Sequence, residues 1–466
     1  MITDARTKTL PQGLALQAPA TAMSDANSLR QCERALDMLL TQRGDAFAEV
    51  ERMLADDPGC VFGHCLRAAL IVRADGSAPQ STLAASIAAI EAACPDSGDP
   101  ARRHAMAARA WLDGDSARAA ALYGAILDDR PHDIVALAVA HALDFHLGRR
   151  PMMRDRIEKV LPHWTAAMPH YASVLAMYAF ALEENGQYGG AEDTARRALA
   201  LDPGHAGAIH VIAHVMEMQG RTHDGLAFLA GTEAAWREAT GLAVHLAWHR
   251  ALFHLEVNDA KGALAVYDAQ LARAGATDMS ALADGAALLW RLQLQNIAVG
   301  KRWRRLADRW AMQTLAGARP FYVMHAMMTF AAAGRTVAAA RLADALPDID
   351  GIEASPLNPG DALAPPLGQA FLAFARGDYA QCIAWLKRVR HIAHRCGGSL
   401  AQCDVIHLTL TEAALRARQA SLARALVAER TARKPASRLN RLLQQRLAMQ
   451  PRYPDARAGA ATALVA

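Results

Sequence analysis

Apolar residues return at intervals of three and four along almost the whole chain, the period of a helix with one buried face. No stretch shows the sustained alternation, rich in Val, Ile, Thr and Tyr, that a half-buried strand needs. Ala, Leu, Arg, Glu and Met, all good helix formers, dominate the periodic segments. Gly or Asp-Pro breaks interrupt them every 12 to 20 residues, which is the rhythm of helical hairpins. The pattern predicts an all-α chain.

The hairpins repeat. Ala46 and Val50 precede Pro58, Ala119 and Tyr123 precede Pro131, and Ala191 and Ala195 precede Pro203, with 12 residues from the first Ala to the Pro each time. Prolines 58, 95, 131, 169 and 203 are separated by 37, 36, 38 and 34 residues, and Gly44, Gly114 and Gly186 each stand before a second helix. An A-x3-F-type step closed by Pro, in a unit of about 34 residues, marks tetratricopeptide repeats. One such hairpin buries a single face, so neighbours must stack to close a core. The fold expected is a tetratricopeptide-like α-solenoid of stacked helical hairpins, curled around a central pocket.

Turns continue at Gly220-Arg221, Asn258-Asp259 and Gly334-Arg335, and a Pro/Gly-rich stretch then runs from 351 to 368. The division predicted is an N-terminal arm (1–24), a solenoid with a His-rich concave face (25–350), the loop (351–368), C-terminal repeats (369–445) and a frayed tail (446–466). The length of 466 residues alone suggests about three domains; the repeat joins them into one array.

Composition narrows the class. The chain is 53% hydrophobic, too apolar for a disordered one, and no apolar run is long enough to cross a membrane. Seven Cys, an odd number with no C-x-x-C pair, suit buried thiols in a reducing cytoplasm. The basic run Lys301-Arg302-Trp303-Arg304-Arg305 reads as the solvated face of a helix with Trp303, Leu306 and Trp310 inward, so neither nucleic acid nor membrane is an expected partner. Phosphate-loop, dinucleotide and nucleophile-elbow patterns are absent, as is H-E-x-x-H.

Candidate chemistry lies in the histidines. Of 18, twelve fall between His132 and His254. His210 and His214 are four apart, with Glu217 three further on; His245 and His249 repeat the spacing one unit later. Residues four apart share a helix face, and parallel first helices pack about 8–10 Å apart, so the two pairs can converge. Imidazoles with a carboxylate suit a divalent metal. They equally suit a metal-free acid–base pocket, because His titrates near neutral pH, or a buried structural network.

The blocks Met177-Tyr178-Ala179-Phe180-Ala181-Leu182-Glu183-Glu184, Ile209-His210 through Gln219-Gly220-Arg221, Val244-His245 through Glu256, and Leu288-Leu289-Trp290-Arg291-Leu292 together resemble the tetratricopeptide repeat protein 38 family, over roughly residues 25 to 445. The resemblance implies an all-helical repeat fold of poorly defined activity and directs attention to the same histidines. One block departs: Gly397-Gly398-Ser399-Leu400-Ala401-Gln402-Cys403-Asp404 carries Leu400 and Cys403 where the family pattern has His and Arg. If that block lines the pocket, a less acidic or more apolar ligand follows.

The site expected thus comprises His210, His214, Glu217, His245 and His249 as acid–base groups, with the four histidines as metal ligands if a divalent cation is the cofactor. His146, Glu183, Trp248, Arg291 and His325 are the expected ligand contacts, Glu183 as a carboxylate partner of the histidines and Arg291 as an anion anchor. The expected function is small-molecule binding, with hydrolysis or elimination as the chemistry of an enzyme. The alternative is a scaffold holding a peptide in the concave groove. Few Lys and Asn argue against the latter, and a homodimer is left open.

Overall fold

The computed structural model describes residues 26–449, apart from 75–79, 276–277, 316 and 347–360. Among these residues there are twenty-four α-helices, a few 3-10 turns and no strand. The protein is a tetratricopeptide-like α-solenoid: consecutive helices pair as hairpins, and the hairpins stack.

The repeat signals act where the sequence places them. Gly44, Gly114 and Gly186 take φ of 73°, 87° and 76° between the two helices of a unit, the left-handed region that other residues enter only at a cost. Asp45 and Asp115 follow as N-caps, each carboxylate accepting a backbone N–H from three residues on. The second helices Ala46–Asp56, Ser116–Asp129 and Tyr188–Leu201 stop two residues before Pro58, Pro131 and Pro203. Ala119, Ala191 and Ala195 are fully buried, which lets paired helices approach closely. In the helix Arg302–Trp310, Trp303, Leu306 and Trp310 are inward, while Arg302 pairs with Asp268 and Arg309 donates to carbonyls of residues 271–275.

Two boundaries shift. The predicted arm lies outside the described residues, as do 351–360 of the loop and 450–466 of the tail. The rest of the loop is structured: Asp361–Leu363 forms a 3-10 turn and Ala364–Ala375 a helix whose first turn holds Pro365 and Pro366, where a missing N–H costs nothing. The last helix, Arg438–Ala448, runs past the predicted start of the tail.

The core forms two clusters that meet in the helix Ala243–Glu256: Leu246 and Phe253 face one, and Ala247, Trp248 and Leu255 the other. Contacts between distant repeats draw the array together. Arg43 donates to the Gly204 and Ala235 carbonyls, and Thr240 to those of Gln42 and Gly44. At the C-terminal end, Trp290 donates to Thr409, Leu400 N–H to Glu184, and Ser437 to Glu256. The earliest repeats thus reach the turns before the middle first helices, and the latest repeats reach the ends of those helices.

Candidate metal centre and ligand cavity

Two neighbouring first helices, Ala206–Gln219 and Ala243–Glu256, carry the paired histidines. Their inner faces bring four imidazoles together. Ring centroids lie 4.4 Å apart for His210–His214, 4.7 Å for His245–His249, 4.5 Å for His214–His249 and 4.9 Å for His210–His245. One ligand nitrogen from each falls within 4.8 Å of all the others.

The tautomers follow from the partners. His214 Nδ1 lies 3.2 Å from Glu183 Oε2, His249 Nδ1 3.0 Å from Glu217 Oε2, and His245 Nδ1 2.7 Å from Asp284 Oδ2. An ionised carboxylate only accepts, so the Nδ1 atoms of His249 and His245 carry the proton and their Nε2 atoms a free lone pair, whereas Glu183, pushed up by burial, can itself donate to His214 Nδ1. His245 Nε2 and His249 Nε2 nevertheless face one another at 3.2 Å. The Nε2 atoms of His210 and His214 are buried without a hydrogen-bond partner. Converging lone pairs repel unless a cation sits among them. Nitrogens around a tetrahedral zinc stand about 3.3 Å apart, given Zn–N of ~2.05 Å. Carboxylates behind ligating imidazoles are the usual outer support of such a site.

Burial sets the charges. It pushes His210 well below its usual range, aided by the neighbouring imidazoles, and lowers His214 to about 4 and His249 to about 3. Neutral imidazole is the ligating form. Burial and nearby Glu217 raise Glu183 to about 8, and its Oε1 has no partner. Burial also pushes Glu217 up, but Lys434 at 2.8 Å and His249 outweigh it and hold that carboxyl well below its usual range. Asp284 additionally accepts from Gln402 at 3.1 Å.

His210 and His245 also line a cavity of about 480 Å3. Its walls include Phe145, Phe180, Phe321 and Tyr322, with His141, His146 and Arg73 among its polar groups. The Phe180 ring lies 5.6 Å from that of His210 and 6.1 Å from that of His141.

The expected ligand contacts divide. His146 lines the cavity, and its Nδ1 is buried without a partner. Glu183 sits behind His214 and does not line the cavity beside His210. Trp248 is fully buried and stacked on His245 at 5.2 Å, so it supports a ring without touching the cavity. Arg291 lies over Trp248 at 5.4 Å and donates to the Ala287 and Ala401 carbonyls, which ties it to the packing of two helices and away from an anchoring role in this cavity. His325 is fully buried and bound to the Phe321 carbonyl at 2.7 Å. Glu217 faces His249 of the next repeat instead of the histidines of its own helix.

His205 is buried and caps its helix by accepting from Ala208 N–H. Leu400 and Cys403 line a different cavity, of about 600 Å3, beside Arg150, Arg390 and Lys434. Gly398, Ser399 and Gln402 of the same block do line the cavity beside His210.

Asp284 and Lys434 were not singled out as site residues by the sequence. The first had a signal: the His–carboxylate pairs are 31, 32 and 39 residues apart, about one repeat each. Lys434 is 217 residues from Glu217 and had none.

No family model matches the chain. Among solved structures it is similar to a human IFIT1 dimer with m7Gppp-AAAA, at 13% identity and a TM-score of 0.35 over 91% of this chain and 95% of that one. It is also similar to a Naa15/Naa10 complex bound to HypK-THB, at 14% and 0.31 over 95% and 75%, and to the P58(IPK) TPR domain, at 12% and 0.22 over 75% and 98%.

Proposed function

We propose that this protein, a tetratricopeptide-like solenoid of the tetratricopeptide repeat protein 38 type, is a metal-dependent hydrolase acting on a small molecule. His210, His214, His245 and His249 would hold one divalent transition metal, with Glu183, Glu217 and Asp284 orienting their rings. The observation that carries the reading is the 3.2 Å approach of two Nε2 atoms whose Nδ1 atoms are both engaged by carboxylates. A divalent metal held by the four nitrogens would need a fifth position for water, and there it would supply a water of lowered pKa and a Lewis acid for hydrolysis. His210 and His245, which border the cavity, place that chemistry beside the space for a ligand.

A cavity of about 480 Å3 suits a small molecule better than an extended peptide. The aromatic side walls, with His, Arg and Asp groups set among them, favour the same choice. The test is turnover of a panel of aryl esters, amides and phosphoesters by protein loaded with zinc, manganese or ferrous iron. Activity that rises with metal loading and disappears in His210→Ala supports a hydrolase. Stoichiometric metal without turnover of any member removes the catalytic half of the proposal.

A further inference from the structure

Arg73, at the end of the helix Val61–Arg73, lines the cavity from a repeat remote from the four imidazoles. Its Nη1 donates to the Leu39 carbonyl at 2.9 Å. Arg73 is half-buried in the cavity wall, and among the described residues no carboxylate lies in ion-pair range of it. A partly desolvated guanidinium in such a wall is favoured by an anion beside it. Two further groups open into the same region. His141, nine-tenths buried, and His146 each carry an Nδ1 without a partner, and both line the cavity. After burial, Arg73 depresses the protonation of His141, and Arg319 followed by Arg73 that of His146. His210, beside the Phe180 ring, is governed by burial and by the other three imidazoles of its cluster.

We propose that Arg73, with the Nδ1–H groups of His141 and His146, forms an anion subsite, so that the ligand is a small organic anion with a flat apolar body. The inference deepens the hydrolase reading by naming its substrate class. The anionic group would sit at Arg73. The body would lie along Phe145 and Phe180, whose rings are 5.4 Å apart. The reacting group would reach the imidazole cluster beyond. A guanidinium fork and two neutral N–H donors match a carboxylate or a phosphate alike.

The test is calorimetric titration of benzoate, phenyl phosphate and uncharged benzamide into the protein as purified and after dialysis against EDTA. At least one anion is expected to bind tenfold or more tightly than benzamide in both preparations, and which anion does so separates carboxylate from phosphate. Arg73→Met is expected to abolish the preference and to leave metal content at the wild-type level, while Arg73→Lys keeps part of it. Equal binding of benzamide and both anions by the unmodified protein overturns the subsite without recourse to any variant. An Arg73-dependent preference in protein that takes up no metal keeps the subsite and removes the hydrolase reading. Stoichiometric metal with no anion preference does the reverse.

Discussion

At the scale of single residues, the centre depends on which nitrogen of each imidazole is protonated. Asp284 and Glu217 settle that for His245 and His249, and they are not equivalent. Asp284 receives the shorter of the two bonds, from a His245 ring that also borders the cavity. Asp284→Asn replaces an acceptor by a group that can offer a donor to Nδ1, so the wrong tautomer becomes available. Metal affinity is expected to fall by about 10- to 100-fold with little change in helical content, measured by competition against a chromophoric chelator. Lys434→Met leaves Glu217 buried without its cation. Breaking such a pair costs about 3–5 kcal/mol, to be read as a lower denaturant midpoint. The histidines and two of the carboxylates were legible from their i, i+4 spacing and from the family-like blocks. Their exact pairing was not, because each carboxylate serves a ring on a neighbouring helix, and periodicity along one helix says nothing of the next.

Helices and turns were the most legible scale. The Gly–Asp turn and closing Pro act locally, through φ and through a lost N–H, so residues such as Gly114, Asp115 and Pro131 report their own conformation. Contacts between remote repeats are different in kind. Gly220 ends the helix Ala206–Gln219 at φ 69°, and a Cβ there would stand 2.6 Å from that of Ala436, some two hundred residues on. The sequence marks the turn and is silent about the neighbour. Gly220→Ala is expected to destabilise by more than the ~1–2 kcal/mol of the left-handed conformation alone, because Ala436 must also move. Urea denaturation with an unchanged m-value checks it; a loss below about 1 kcal/mol would mean that the last repeats do not pack there. The proline-rich stretch shows the opposite error. Four prolines suggested a loop throughout, yet Pro365 and Pro366 open a helix, since the first turn of a helix is where proline fits best.

At the scale of the whole molecule, the array buries a set of neutral histidines, and acid should disturb them together. Burial lowers His141 and His249 to about 3 and His214 and His325 to about 4. In the unfolded chain these groups take up protons near pH 6.5. Below that pH the unfolded state binds more protons than the folded one, so stability falls as pH falls. Glu183 and Glu184, raised to about 8 and about 7 by burial first, act with the opposite sign, because the folded state takes their protons earlier. Four histidines outweigh two carboxylates once the pH is below about 6. The melting temperature of EDTA-treated protein is expected to drop between pH 6.5 and 5, and a flat profile would mean that these rings reach solvent. That the first and last repeats both touch the central repeats was only loosely legible. The curl was expected from the repeat class, whereas Arg43 on Gly204 and Leu400 on Glu184 join segments with no shared pattern.

The central claim is that four imidazoles hold one metal, and elemental analysis of the purified protein tests it most directly. About one zinc, manganese, iron or similar ion per chain is expected, retained through gel filtration and lost in the His214→Ala variant. Protein that stays folded yet holds no stoichiometric metal, even after incubation with each ion and desalting, would contradict it.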